Sequence, residues 1–324
     1  VSDASSGSDA DFTATVAPYR AELRAHCYRM LGSYADAEDA LQDALLGAWR
    51  GLGGFAGRAS LRTWLYKIAT NACLQLIAQR PKRLLSADLH PAARPDLAPD
   101  DAAFSPQLEP VWLEPHLDDP HATFEQRETV ELAFVAALQH LPGTQRAALL
   151  LTEVLGFAAG EVAELLDTSV AAVNSALQRA RATLEQRGPQ VSQQATLRNL
   201  GEARQRELVA AFVAAWDRAD VAALRDMLAE DARFTMPPLP SWFDGREDVV
   251  RFLRDRVFAT PWRAVPLATT VSGQLAFACY QCRQPPAFDL GALCVLSLRP
   301  DGVIAQMTGF LDPALHRRFS LPER

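Results

Sequence analysis

Lysine is almost missing from this chain: Lys67 and Lys82 are the only two in 324 residues, so arginine supplies nearly all of the 32 basic side chains. A GC-rich coding sequence would produce that bias, and guanidinium forks also suit phosphate. No apolar run approaches the roughly 18 to 20 residues that span a bilayer. The segment Val1–Asp9 is acidic and Ser-rich, without a basic stretch leading into an apolar one, so no targeting segment is expected and the cytoplasm is the expected location. Cysteines are few and odd in number (Cys27, Cys73, Cys279, Cys282 and Cys294), which fits reduced thiols better than a disulfide framework. At roughly 100 to 200 residues per domain, the length predicts two or three domains, each able to bury a core without staples.

The formal net charge of -7 conceals a segregation. From Ala44 to Ala87 there is no acidic residue, while Arg50, Arg58, Arg62, Lys67, Arg80, Lys82 and Arg83 alternate with Trp49, Phe55, Trp64 and Tyr66. From Asp88 to Glu131 the sign reverses, with eleven acidic residues against Arg94 and Arg127. Local fields of this kind, more than the net charge, select electrostatic partners. Seven prolines between Pro91 and Pro120 oppose a regular helix across most of the acidic stretch, which predicts an extended linker between two folded units. A solvated spacer with no other role is the alternative.

Residues 12–80 carry helical periodicity. Val16, Tyr19, Leu23, Cys27, Met30 and Leu31 recur at three-to-four spacing, Leu41, Leu45, Ala48, Trp49 and Leu52 repeat it, and Gly51–Gly54 breaks the second run. Ser60 predicts an N-cap to a third helix with Leu61, Trp64, Leu65, Ile68, Ala72 and Leu76 on its apolar face, ended near Pro81. From Phe124 to Arg187 the pattern is again helical. After Gly156, Val162, Leu165 and Leu166 pack one short helix, Val170, Val173, Leu177 and Leu184 pack a second, and Asp167–Ser169 supplies turn and cap. Spacing alone allows a helix-turn-helix or a helical hairpin that binds nothing.

After a polar connector from Gly188 to Asn199 the chain changes class. One helix carries Leu208, Phe212, Ala215, Trp216 and Ala219, Asp220 caps a second through Leu224 and Leu228, and a third begins near Gly245. Short β-rich runs follow at Ala268–Val271, Leu275–Cys282, Ala292–Leu298 and Val303–Phe310, the last two separated by a turn at Arg299–Gly302. Three helices and then a meander of antiparallel strands predict an α+β domain.

Three motifs in this order resemble the extracytoplasmic-function (group IV) sigma factors of the sigma-70 family. Tyr34–Asp43 with Ala48-Trp49-Arg50 is similar to the stretch by which such factors bind the β′ clamp coiled coil of core RNA polymerase. Phe55 through Ser60–Asn71 resembles the segment that melts and reads the promoter minus-ten element. Leu141–Arg146 with Val162–Leu166 and Val173–Arg181 resembles the domain that places a helix in the minus-thirty-five major groove and meets the β flap. The resemblance implies Asp36, Glu38, Asp39, Gln42, Asp43, Trp49 and Arg50 for polymerase binding. For minus-ten DNA it implies Phe55, Arg58, Arg62, Trp64, Lys67, Asn71, Arg80, Lys82 and Arg83, with Trp64 equally suited to the core. For minus-thirty-five DNA it implies Thr168, Ser169, Ala172, Asn174, Ser175, Gln178, Arg179 and Arg181. Asn174 and Ala176 stand where many relatives carry arginine. The residue chemistry is apt: aromatic rings beside cations hold unstacked bases while neutralising phosphate, and carboxylates three or four apart share a helix face that can meet arginines of a partner. The family's linker enters the polymerase cleft, where an acidic segment can mimic nucleic acid. Trp112 and Leu113 are expected to dock on a folded domain of the chain.

Residues 202–319 resemble a SnoaL-like, ketosteroid-isomerase-like cone, through Ala219–Leu224, Ala232–Pro238 and Phe243–Glu247. In the sigma factors bearing it, this domain regulates activity in cis. The expected fold is therefore multidomain: two all-α sigma domains, the second with a helix-turn-helix, and a C-terminal α+β cone. The expected boundaries are a tail at 1–11, region 2 at 12–84, a linker at 85–123, region 4 at 124–187, a second linker at 188–200 and the cone at 201–324. Trp216, Phe234, Met236, Trp242, Phe243 and Tyr280 suit either an apolar ligand pocket or ordinary core. With no histidine between His140 and His316, and Asp289 alone in the strand region, the expected protein is not an enzyme, binds no metal and needs no cofactor. Cys279 and Cys282, three apart on a strand, face opposite ways and suit no metal. The partners implied are core RNA polymerase and promoter DNA, with no membrane. The competing expectations are a ligand-sensing helix-turn-helix regulator and a cone-fold enzyme fused to a DNA-binding module.

Overall fold

The computed structural model describes residues 12–55, 57, 59–94, 96, 98, 101–107, 112–117, 130–189, 191–268 and 270–318. The chain divides into two units, 1–83 with 133–188, and 84–132 with 189–324.

In the first unit α1 spans Arg20–Leu31, α2 Tyr34–Gly51 and α3 Leu61–Gln79. Gly32 ends α1 in the left-handed region (φ 68°), where a side chain would be strained. Ser33 then caps α2 by accepting from the Asp36 N–H, and Ser60 caps α3 by accepting from the Thr63 N–H at 3.0 Å. The buried face of α2 is made of small residues, Ala37, Ala40, Leu41, Ala44 and Ala48, which lets its neighbours approach closely. Trp49 and Leu52, expected on that face, are exposed at 46% and 36%. On α3 the fully buried stripe is Leu65, Ala69 and Cys73 with Tyr66 and Thr70, and the expected Leu61, Trp64, Ile68, Ala72 and Leu76 are half-buried beside it.

The same unit holds α4 (Leu132–Gln139), α5 (Gly143–Leu149, running into a wider turn over Leu150–Val154), α6 (Ala159–Leu165) and α7 (Val170–Arg187). Ser169 caps α7 by accepting from the Ala172 N–H, and Asp167 turns the chain with φ 49°, a conformation that Asp tolerates better than most residues. Val173, Leu177 and Ala180 bury one side of α7. Val170, expected to pack, is 45% exposed at the first helical position.

In the second unit α8 (Gln193–Asp217) is kinked at Gly201 (φ 72°), so the expected polar connector up to Asn199 is largely helix. The Glu131 carboxylate fixes its start by accepting from the Gln193 and Gln194 N–H groups at 2.9 and 2.8 Å, which satisfies donors every helix start leaves open. The elements that follow are α9 (Val221–Met227), β1 (Leu228–Thr235), β2 (Trp242–Asp244), α10 (Arg246–Asp255), β3 (Trp262–Pro266), β4 (Leu275–Gln284), β5 (Ala287–Leu298), β6 (Ile304–Phe310) and α11 (Pro313–Arg318). Asp220 caps α9 as expected, but Leu228 begins a strand rather than ending the helix. The sheet order is β2-β1-β6-β5-β4-β3, with β1 parallel to β6 and the other neighbours antiparallel. The expected simple meander is therefore corrected: the β1–β2 hairpin precedes α10, and the strand expected at Ala268–Val271 is replaced by β3. Val271 instead makes isolated bridges to Leu117 and Gln274. The sheet packs against α8 through β3 and against α10 through β1, around a core that includes Phe212, Trp216, Phe243, Phe252 and Phe277.

The acidic linker belongs to this second unit. Leu84 bridges Trp112, the Leu113 N–H donates to the Leu84 carbonyl, and the Ser272 N–H donates to the His116 carbonyl at 2.7 Å. Trp112 and Leu113 are buried, with the Trp112 indole donating to the Gln107 carbonyl at 2.8 Å. Trp242 donates to the His90 carbonyl, tying the linker to β2. The free spacer is thus corrected over its described part: backbone groups of Ala93, Ala103, Gln107 and His116 find partners on the cone.

Candidate nucleic-acid interface

The sequence-expected residues fall on three surfaces and in one cavity. On α2, Asp39, Gln42, Asp43, Trp49 and Arg50 are exposed and Glu38 is half-buried, held by Arg24 at 2.7 Å. Leu46, not among the expected residues, lies on this face at 43% exposure and with Trp49 and Leu52 adds an apolar strip to the carboxylates. Helical spacing puts it there: 39, 42, 46 and 49 lie on one face. Asp36 is a correction. It is 4% exposed, and its carboxylate accepts from Arg80 and from Arg83 Nε at 3.1 Å. Arg83 is buried with it, at 7%. The expected partner-facing carboxylate and phosphate-facing guanidinium instead neutralise each other inside region 2, because neither charge can be buried alone.

Along α3, Phe55 and Trp64 form a half-buried aromatic pair with ring centroids 5.0 Å apart. Gly51 makes room for it, since a Cβ there would lie 3.2 Å from the Trp64 ring. Asn71 is half-buried and Lys82 exposed, and Arg80 spans Asp36 and Asp39. Arg58 lies outside the described residues. Arg62 is held by Glu22 at 3.4 Å and lies over the rings of Tyr66 and Phe157, at 4.9 and 5.0 Å from their centroids. Lys67 donates to the Asp167 carboxylate and the Glu164 carbonyl. Phe157, Glu164 and Asp167 all come from the region 4 half, so α3 and that half meet inside one unit. Beneath them the buried Arg146 donates to the carbonyls of Met30 and Leu141 and to Gln139. Its burial pushes its pKa down to about 10. Gly143 lies close to Leu74 and Ile77, where a Cβ would come within 3.1 Å of Leu74.

In the turn before α7, Thr168 and Ser169 are exposed; on α7, Ala172, Asn174, Gln178, Arg179 and Arg181 are exposed and Ser175 is half-buried. Arg179 donates to Ser175 at 2.6 Å, and Arg181 to Glu153 at 2.6 Å. This is one continuous polar face of a helix whose other side is buried, which is the form a recognition helix takes.

In the cone, Trp216, Phe234 and Met236 line a cavity, whereas Trp242 and Phe243 do not. Phe243 stacks on Phe252 at 4.2 Å, and Trp242 lies beneath Arg233. Tyr280 faces the other side of the sheet, beside Arg263 and Phe288. Strand alternation separates it from Cys279.

These features agree with three family matches: Sigma-70 region 2 over residues 15–83, Sigma-70 region 4 over residues 131–184, and a SnoaL-like domain over residues 209–307. The ECF RNA polymerase sigma factor SigG of Mycobacterium tuberculosis is 40% identical over 320 residues, which are 97% of this chain and 84% of that protein. SigM of the same organism is 34% identical over 151 residues, 46% of this chain and 62% of that protein. The crystal structure of the Mycobacterium tuberculosis ECF sigma factor SigJ has the same fold, with a TM-score of 0.58 at 22% identity over 93% of this chain and 98% of that one. The chain therefore belongs to the extracytoplasmic-function sigma factors, the alternative sigma factors of RNA polymerase, and carries a SnoaL-like domain after region 4.

Proposed function

We propose that the exposed α2 face, Asp39, Gln42, Asp43, Trp49 and Arg50, grips the polymerase β′ coiled coil while Phe55, Trp64, Asn71 and the cations of α3 hold the unpaired minus-ten strand. The polar face of α7 reads the minus-thirty-five duplex and region 4 meets the β flap. Rings beside cations suit single strands, and an exposed polar helix suits a major groove.

The arrangement described is then a resting state, and the contact of Arg62 and Lys67 with the region 4 half carries this reading. Two elements about 25 base pairs apart on one duplex are separated by about 85 Å at 3.4 Å per step. A Lys67 bonded to Asp167 at 2.8 Å and an α7 seated on the minus-thirty-five element cannot coexist with an α3 on the minus-ten element. Regions 2 and 4 must part for DNA to bind. The linker joining them is tied to the cone through His90, Gln107 and His116, which supports a role for the cone in cis: holding the linker limits how far the regions separate.

Reconstituted transcription with core polymerase tests the reading. Charge reversal at Arg62 and Lys67 should leave core binding intact and abolish open-complex formation. Unchanged promoter opening would overturn the assignment of α3. Ending the chain near Arg187 should change promoter-dependent output, and equal output would remove the cone from the mechanism.

A further inference from the structure

The cone encloses a cavity of about 210 Å³ that neither the polymerase-facing nor the DNA-facing residues use. Its walls include the buried Trp216, Phe234, Met236, Cys279 and Cys294 and the partly buried Trp262. Two glycines keep it open. Gly291 interrupts the β4–β5 register, and a Cβ there would lie 2.7 Å from the Trp262 ring. A Cβ on Gly309 would meet the Phe234 ring at 3.6 Å, an ordinary contact, so a side chain there would project into the space without a backbone clash.

Polarity rises along one strand. On the cavity side of β4 the alternate residues are Phe277 and Cys279, both fully buried, then half-buried Gln281 and exposed Arg283. At the mouth Arg283 Nε donates to Gln281 Oε1 at 2.7 Å, and Gln281 Nε2 donates to Thr260 Oγ1 at 2.8 Å. This chain fixes the guanidinium plane while its two terminal nitrogens carry no ion pair among the described residues. Asp289, opposite Gln281 in the ladder, is exposed and outside the lining. Deeper in, the Trp216 indole N–H is buried without an acceptor, a costly state for a donor. The lining contains no carboxylate and no imidazole, so the site has groups to hold a molecule and none to act as a general base.

We propose that this cavity binds a small aromatic carboxylate, its ring between Trp216, Phe234 and Met236 and its carboxylate on the Arg283 fork. Size sets the class: an apolar cavity of about 150 Å³ takes up benzene, so this one admits a single ring with a short arm. Charge sets the head group, because a guanidinium fixed at Nε presents parallel donors matched to a carboxylate. The proposal stands on the cone alone and is independent of how the helical regions meet DNA.

Phenylacetate is the probe, with 2-phenylethanol as its neutral counterpart. Both are titrated into the full-length protein by calorimetry and by the fluorescence of Trp216 and Trp262. Saturable phenylacetate binding is expected with Kd on the order of 1 mM or below, from the ceiling for about ten heavy atoms, and binding of 2-phenylethanol should be about tenfold weaker. Arg283→Gln, at an exposed position, should weaken phenylacetate by about tenfold and leave 2-phenylethanol unchanged. Gly309→Val should abolish both signals while the thermal melt persists. Absence of saturable phenylacetate binding to the parent protein overturns the proposal, as does equal binding of the two probes with no effect of Arg283→Gln. If Gly309→Val does not fold, the Arg283→Gln comparison still decides.

Discussion

The Lys67 ammonium donates to the Asp167 carboxylate at 2.8 Å and to the Glu164 carbonyl at 3.0 Å, joining the helix of region 2 to the turn of the region 4 helix-turn-helix. In sequence the two stand apart, Lys67 as a cation beside aromatic rings and Asp167 as a turn former. Their pairing means that the side chain proposed for DNA phosphate already has an anion. Asp167 is 75% exposed, so the pair is weak by itself and can be exchanged for a phosphate.

Asp167→Asn should therefore raise affinity for a promoter fork carrying an unpaired minus-ten strand. Asn tolerates the positive φ at this position, so the turn is kept. An exposed ion pair is worth up to about 1 kcal/mol, which limits the gain to about fivefold. Lys67→Ala should reduce affinity despite breaking the same contact, because it also removes the phosphate partner. Fluorescence anisotropy with labelled fork DNA checks both, and a loss in Asp167→Asn contradicts the resting-state reading.

Asp36→Ala should destabilise region 2 by up to about 3 to 5 kcal/mol, the cost of removing one partner of a buried ion pair, since the Arg83 side chain is buried against it at 8% exposure. Asp43→Ala, on the exposed side of the same helix, should leave the melt within about 0.5 kcal/mol of the parent and weaken core polymerase binding. Thermal melts and a core pull-down separate the two roles.

Stability should fall with acid through His26. Burial and the nearby Arg29 lower its pKa from 6.5 to about 3, and its Nε2 bonds Thr70 Oγ1 at 2.9 Å. Above pH 6.5 both states are neutral and the residue contributes no slope. Below it the unfolded chain takes up a proton that the folded chain refuses, so stability declines until about pH 3. At pH 5 this amounts to about 2 kcal/mol. Urea melts at pH 7 and pH 5 should show the difference, and His26→Gln should remove most of it.

Trp112→Ala should release the linker. Loss of a buried Trp typically costs about 3 to 5 kcal/mol, enough to raise local opening and protease cleavage between Ser86 and Leu117 by at least about tenfold. Limited proteolysis with mass mapping reads this directly, and unchanged cleavage would show that Leu84 and His116 hold the segment without it.

The helices of both sigma regions were legible because local rules suffice for them. Ser60, Ser169 and Asp220 cap the helices they were expected to cap, and the Arg299–Gly302 turn lies between β5 and β6 with Gly302 at φ 86°. The cone was read less well. Val271 looked like strand by composition, whereas β3 carries Trp262, Arg263 and a proline and is an edge strand set by its pairing to β4. The start of α8 lies among glutamines, where Ser192 caps it locally and Glu131, more than 60 residues earlier, accepts from two further N–H groups.

The sequence by itself determined the order of the domains, the segregation of charge, the caps, and the exposed polar face of α7, because each depends on residues within a few positions of one another. Long-range packing alone set Asp36 against Arg83, brought Arg62 and Lys67 to the region 4 half, and tied the linker to the cone through His90 and His116. It also decided which of the five aromatic residues and Met236 surround a cavity. Whether a charge or a ring faces water depends on long-range partners, and a side chain's composition does not reveal what will cover it.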